Sequence, residues 1–486
     1  MTITHARDSS PERVSRHRHL TTSERWTEGA AFWLLIGLIA WAPFPLGSNR
    51  PWSWSLLTAL VACAWIIWSF SVWQTSENLR PLRRMAVPLT LSGLTLLWAV
   101  IQASPWVPAA WVHPVWQLGG ELLNRPLRGS ISIDPWRTLT EAMKLATYLA
   151  AAILAYMMSQ RSERAQRLMD ALMVIGAFYA VYAWALTMAG LVQENLFYPT
   201  PPSGGGLGGP FVSHNNFATY AGLAALCAGV RLFDLGGRTL VVGRGLRQFT
   251  VSSIYFFFGS GALPAACFLL SFAMLIASGS RAGFMASIFG IGVLMALAAV
   301  VAGRRLTKGW AAAGVAVVVA VLIGLFMLTG DNLASRFDSL VEVGSFDQTR
   351  LLLWQSAIRM ISDAPLLGLG LGTFEPAYPM YADRALPFIM DRVHNDFLEF
   401  AAGLGLPAAI AWWSAIVWLT ALCARGVFIR RRHRHFAMLA VAATGLVGFH
   451  SLFDFSLQIP AIALTYAVIL GLGVAQSAPT RNIGPE

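Results

Sequence analysis

Charge is what this chain is shortest of. Only 12% of its 486 residues are Asp, Glu, Lys or Arg, about half the usage of a soluble globular protein. That scarcity excludes a soluble multidomain enzyme of this length. Acidic residues are scarcer than basic ones, 24 against 35, which leaves a formal charge of +11. An excess of that size can mark a nucleic-acid binder, but its placement here excludes one. The basic residues sit in short hydrophilic breaks: Arg13, Arg16 and Arg18 near the start, then "LRPLRRM", "QRSERAQR", "GRRLTKG" and "IRRRHRH". That is the signature of cytoplasmic loops, not of a nucleic-acid face. Cysteine is also rare. Cys63, Cys227, Cys267 and Cys423 all fall inside apolar runs, as packing residues with no disulfide frame and no metal cluster.

Apolar sequence fills the rest. Hydrophobic residues make up 56% of the chain and the mean hydropathy is +0.58. Runs near ~20 residues recur from about residue 30 to 475, the length a bilayer demands of a helix. A β-barrel would show short alternating segments instead. The expected fold is all-α and polytopic, with about twelve spans near 30–48, 52–73, 86–103, 138–158, 168–190, 212–232, 251–277, 282–302, 310–329, 396–423, 436–453 and 458–475. Starting from a cytoplasmic N-terminus, the basic breaks alternate onto one side. Residues 1–29 are then a cytoplasmic tail, 30–329 nine spans, 330–395 a large periplasmic loop, 396–475 three spans, and 476–486 a second cytoplasmic tail. The first apolar run lacks a small-residue cleavage pattern and is expected to stay as an anchor.

The long connections lie on the outer side. "YPTPPSGGGLGGPFVSHNN" is loop by composition. The loop at 330–395 is too long to be mere connection. Within it "QTRLLLWQSAIRMISDAP" is apolar at helical spacing, opened by Asp347 or Thr349 and stopped by Pro365. It reads as an interfacial helix over the bundle.

Three cationic or titratable residues gather on that side. Arg281 in "SGSRAGF" begins a span, Arg350 opens the interfacial helix, and His394 in "DRVHNDFLEF" stands where the next span begins. Each has an ordinary alternative: a snorkelling arginine, a solvated helix face, and a capping or interface histidine. Arginine is depleted on the outer side, however, which makes Arg281 more informative than one in "RRRHRH". Gly368, Gly370 and Gly372 in "LLGLGLGTF" form a tight turn rather than a nucleotide loop, since no strand precedes them. His214 and Asn216 in "SHNNFA" begin a span, where asparagine can cap. His450 and Asp454 in "FHSLFDF" are spaced to pair within one helix, and Glu141 and Lys144 form an i, i+3 pair. All of these are read as structural or supporting first. Asp338, Glu342 and Asp347 match no metal-site spacing.

In order, "SISIDPWRTLTEAMKLATYLAAAI", "GGPFVSHNNFATYAG", "SGSRAGF", "TRLLLWQSAIRMISDAPLLGLGLGTF", "VHNDFLEFAAGLGLPA" and "FHSLFDFSLQIPA" resemble the O-antigen ligase family. That family includes lipid-linked polysaccharide polymerases and bacterial protein O-oligosaccharyltransferases. The resemblance implies a glycosyltransferase of the bacterial inner membrane. Its donor is a glycan on undecaprenyl diphosphate, and its acceptor a glycolipid such as lipid A–core, a growing glycan or a protein. The chemistry runs on the periplasmic face, and the family's functional arginines and histidine fall on Arg281, Arg350 and His394.

The chemistry fits independently. Arginine stays charged at a partly dry interface and grips phosphate oxygens with two donors. Histidine can take the acceptor's proton. No aspartate-rich metal motif stands on the outer side, so metal and cofactor independence is expected. Inversion in a single displacement follows from the lack of a paired-carboxylate nucleophile. Glu399, one turn past His394, is placed to orient it. The rival readings are a transporter or flippase for a lipid-linked sugar and a structural component of an envelope assembly. A transporter should place ionisable residues deep in its spans, which read as almost free of charge.

Overall fold

The computed structural model describes residues 22–75, 79–191, 194–195, 198–199, 207–240, 245–302, 346–382 and 390–478. The expected span at 310–329 and the acidic residues Asp338 and Glu342 lie outside them. Sixteen helices run through the described residues in order: α1 (Thr22–Trp41), α2 (Pro51–Thr75), α3 (Ala86–Ala103), α4 (Val115–Leu122), α5 (Pro135–Met158), α6 (Ser162–Met188), α7 (His214–Thr239), α8 (Leu246–Phe258), α9 (Ala262–Ala277), α10 (Arg281–Ala302), α11 (Phe346–Asp363), α12 (Phe374–Tyr381), α13 (Asp396–Leu404), α14 (Leu406–Ile429), α15 (His435–His450) and α16 (Pro460–Ala475). A two-residue hairpin, β1 (Glu194–Asn195) with β2 (Tyr198–Pro199), is the strand content among them.

The protein is a multi-pass, all-helical membrane protein. Among the described residues seven helices are long and apolar enough to cross a bilayer, or eight if the bent pair α8–α9 is one span. Shorter apolar helices at Gly29–Trp41, His435–His450 and Pro460–Ala475 pack with them. Two expected spans are interrupted. The one at 251–277 bends by 76° between α8 and α9, where Gly259 and Gly261 flank Ser260 and both disfavour a continuous helix. The one at 396–423 breaks at Gly405, whose φ is +79°, and Pro407 then sits in the first turn of α14. α13 is therefore a separate nine-residue helix, too short to span.

Packing order follows from which helices are apolar all round. α16 is buried along nearly its whole length, as a central helix must be, and it lies between α5, α15 and α7. α14 packs on it and α3 packs on α14 and α5, with large side chains such as Leu94, Leu97, Ile410 and Val417 exposed, the composition of a lipid-facing surface. The end of the bundle where α6 and α15 start and α7 finishes carries an ion network. Arg231 Nε stands 3.2 Å from Asp170 Oδ1, Arg238 Nη2 stands 2.7 Å from Asp234 Oδ2, and His435 Nδ1 stands 3.2 Å from Asp234 Oδ1.

The opposite end bears a small core of its own. α11 runs Phe346–Asp363, matching the helix expected between Asp347 and Pro365. Leu353, Ala357 and Met360 of α11 pack on Leu369, Phe374, Ala377, Tyr378 and Ala402, with Val393 fully buried among them. The glycine run is an edge in this core. Leu369 N donates to Ala402 O at 3.0 Å, Gly370 N donates to Gly403 O at 2.9 Å, and Leu369 O accepts from Ile133 N at 3.0 Å. Gly368, Gly370 and Gly372 all have φ between +69° and +107°, which is a close-packed turn and leaves no cradle for phosphate.

Candidate functional site

The loop before α13 is held on every residue around His394. Val393 N donates to Glu399 Oε2 at 2.9 Å, and Arg392 Nη1 donates to Glu399 Oε1 at 3.0 Å and to Gln458 Oε1. Asn395 caps α13 by accepting from Leu398 N at 3.0 Å, and its amide donates to Leu452 O at 3.0 Å. Asp396 N donates to Ser451 O at 2.9 Å. The Asp396 carboxyl accepts from Ser451 Oγ at 2.7 Å, Gln458 Nε2 at 3.1 Å and Leu457 N at 3.3 Å. The loop "RVHND" is thus fastened to the loop "SLFDFSLQ" (451–458) by side chains from both. His394 between them has a φ of +56°, a region a non-glycine residue occupies only when its surroundings dictate it.

What that conformation achieves is the meeting of His394 with Asp454. Nδ1 of His394 stands 3.7 Å from Asp454 Oδ1, an ion-pair distance slightly beyond a hydrogen bond. The imidazole also packs edge-on against Phe455, ring centroids 5.0 Å apart. Asp454 is fully buried, while the His394 side chain keeps 28% of its surface open. Burial pushes the Asp454 carboxyl up, but His394, His450 and the Phe455 N–H outweigh it and hold the group at about 2. The carboxylate is therefore ionised at neutral pH. Burial acts the other way on Asp396, which is pushed up to about 7 despite its three donors, with Glu399 adding to the shift.

A second polar layer lies behind. His450 Nδ1 stands 2.9 Å from Ser456 Oγ and 3.1 Å from Thr219 Oγ1, and Ser456 Oγ donates to Asn216 Oδ1 at 3.3 Å. Ser280 Oγ donates to Asn215 Oδ1 at 2.7 Å, tying the start of α10 to the start of α7. Arg281, the next residue, opens α10 there and is exposed. Arg350 is half-buried in the first turns of α11, close enough for its charge to act on His450. One turn along, Trp354 lies 6.5 Å from Phe453 and sets α11 over the 451–458 loop.

The residues singled out in the sequence sort as follows. His394, Arg350, His450 and Asp454 are brought together. Arg281 and Asn216 share that end of the bundle through the α7–α10 and α7–Ser456 links. His214 is the first residue of α7, whose cap is Ser213 rather than either asparagine. His450 and Asp454 do not pair along one helix, because α15 ends at His450 and the chain turns, sending Asp454 to His394. Glu399 does not touch the imidazole. It grips the backbone and side chain of the two residues before it.

The spans are also less free of charge than they read. Lys144 and Glu141 of α5 form a close ion pair, with Lys144 2% exposed and its ammonium 4.5 Å from the Trp54 ring centroid. The roles of Arg392, Phe455, Ser456 and Gln458 were invisible for the same reason as this pair's burial: each depends on partners distant in sequence. Among the described residues no three His, Cys, Asp or Glu side chains gather as metal ligands would.

No curated protein matches the chain. Residues 266–413 match the family model described as O-antigen ligase, a stretch that contains Arg281, Arg350 and His394 and stops before His450 and Asp454. Over that stretch, under a third of its length, the chain is similar to the O-antigen ligase family.

Proposed function

We propose that the chain transfers a glycan from undecaprenyl diphosphate to an acceptor hydroxyl at the periplasmic face of the bacterial inner membrane, with both termini cytoplasmic. The observation that carries this reading is the His394–Asp454 pair, held in a strained loop beneath the arginine-bearing start of α11.

In this reading His394 takes the proton of the acceptor hydroxyl as its oxygen bonds to the anomeric carbon. The bond from that carbon to the diphosphate oxygen breaks, and its electron pair leaves with the diphosphate. Ionised Asp454 steadies the imidazolium that forms. Arg350 and Arg281 bind the diphosphate, whose negative charge grows as the bond breaks. The configuration at the anomeric carbon inverts in one displacement. Acceptors of the class are a lipid A–core glycolipid, a growing polysaccharide or a protein. No metal or cofactor enters this scheme. The buried charges of α5 are paired within the bundle, which a scaffold for surface chemistry accommodates as readily as a transport path does.

The test is deletion of the gene with complementation by wild type or His394→Ala. Surface polysaccharide and undecaprenyl-linked glycans are then profiled together. Long glycans stranded on the carrier identify a ligase, and single repeat units identify a polymerase. If the His394→Ala strain matches wild type in both pools, the reading fails.

A further inference from the structure

Four charged side chains between α5 and the His394 loop, Lys144 and Glu399 buried and Glu141 and Arg392 partly buried, take no part in the reaction above. Lys144 pairs with Glu141, and Arg392 pairs with Glu399 and Gln458. The two pairs also act on each other, since Arg392 and Glu399 lie within electrostatic range of Lys144, and Glu141 within range of Arg392. Their charges sum to zero. Stability alone does not explain them, because a buried ion pair roughly breaks even against apolar side chains of the same volume. The best-attested use of such a pair is to fix one arrangement among several.

The geometry says which arrangement is fixed. One carboxylate, Glu399, holds two consecutive residues, the Val393 N–H and the Arg392 guanidinium, both just ahead of His394. The Arg392 guanidinium also lies 5.8 Å from the centroid of Phe455. That is the ring His394 packs against, and it follows Asp454 in the chain. Arg392 thus bears on both sides of the His394–Asp454 pair. The glycine turn makes room for the other ion pair: a Cβ at Gly372 would fall 2.3 Å from Glu141 Cγ. With Gly372 in place, Glu141 lies within electrostatic range of Arg392, and Lys144 is the cation that pairs with it.

We propose that the quartet Glu141, Lys144, Arg392 and Glu399 positions His394 for proton transfer, with Arg392 and Lys144 as positioning residues. Arg392 acts through the Val393 backbone and the Phe455 ring, and Lys144 acts by neutralising Glu141. This deepens the reading of His394 as the base and rests on it.

The experiment uses the full chain in proteoliposomes with a lipid-linked glycan donor and its acceptor. Initial rates are measured against donor concentration for Arg392→Lys, Lys144→Met and Lys144→Met/Glu141→Gln. Carbethoxylation of His394 by diethyl pyrocarbonate is followed in parallel by peptide mass spectrometry. Arg392→Lys is expected to lower kcat roughly 10- to 100-fold, the scale of a misplaced reacting group, with donor KM within about twofold, and to change the His394 modification rate at least about threefold. Lys144→Met is expected to lose at least about tenfold in kcat, and the double variant to recover most of it, because an uncompensated Glu141 is the cause.

A quartet that only supports the fold gives a different pattern. Activity then follows the folded fraction, with kcat per folded molecule and the modification rate unchanged, and the double variant is no better than Lys144→Met. Either result overturns the proposal. If His394→Ala still transfers glycan while Arg392→Lys alters modification of His394, the assignment of the base falls and the positioning of the loop stands.

Discussion

His394 Nδ1 and Asp454 Oδ1 face each other at 3.7 Å across two loops 60 residues apart in sequence. The pair exists only in the folded chain, and it joins an accessible imidazole to a buried carboxylate that stays charged. A histidine in that setting has one nitrogen directed at a fixed negative charge and the other available to a substrate. Asp454→Asn keeps the volume and removes the charge. Glycan transfer by this variant is expected to fall by roughly 10²- to 10⁴-fold, the scale of general-base catalysis, with the protein still accumulating in the membrane. An Asp454→Asn enzyme with wild-type turnover would leave His394 without its partner and the mechanism without its base.

Arg350 opens α11 where that helix crosses the His394–Asp454 site. If it grips diphosphate with two donors, lysine is a poor substitute, since it offers a point charge without the planar fork. Arg350→Lys and Arg350→Ala are both expected to lose roughly 10²-fold or more in kcat, with lysine recovering only a minor part. Single-turnover assays with a donor carrying a better leaving group discriminate further. The deficit shrinks if Arg350 stabilises the departing diphosphate, and it persists unchanged if the residue only holds α11 in place.

Much of this architecture was legible because it is written in local pattern. The hydrophobic runs located the helices, and Pro365 with its preceding periodicity located α11. The polar opening of "DRVHNDF" marked the loop that carries His394. What stayed hidden depends on contact between distant residues. An i, i+4 spacing suggested that His450 and Asp454 pair, but α15 stops at His450 and the turn redirects Asp454. Gly405 divides a run that reads as one span, because φ at +79° is a three-dimensional requirement of packing against Leu366 and Gly368. Lys144 reads as an end-of-helix charge, yet the groups that act on it, Trp54 and the Arg392–Glu399 pair, come from two distant parts of the chain.

The buried carboxyl of Asp396 gives the loop a pH dependence of known sign. Its folded value is pushed up to about 7 from an ordinary 3.8, chiefly by burial. The folded state therefore holds a proton that the unfolded chain has released between those values. The resulting stabilisation is full below the unfolded value and is lost as pH rises through about 7. Thermal unfolding in detergent between pH 5.5 and 8.5 (a range bracketing about 7) is expected to show the wild-type Tm falling with pH. Asp396→Asn, neutral throughout, is expected to remove that slope. A variant whose Tm falls in parallel with wild type would assign the slope to another group.

Gly368 tests how far the outer core tolerates any change beneath the site. Its φ is +69°, and a Cβ there would lie 2.3 Å from Gly403 O and 2.4 Å from Gly405 N. Those are backbone atoms, fixed by the hydrogen bonds that join the glycine turn to residues 402–403. A non-glycine residue in this conformation costs ~1–2 kcal/mol before any clash is counted. Gly368→Ala is expected to lower Tm and membrane accumulation sharply, because relief requires moving the end of α13 and with it the His394 loop. Gly292 is the matched control. It sits in α10 with no atom within 4 Å of its added Cβ, so Gly292→Ala should leave Tm and transfer activity unchanged. Equal behaviour of the two variants would mean that the turn at 368–372 yields easily, and that the strained conformation of His394 draws its support from Glu399 and the 451–458 loop rather than from the glycine turn.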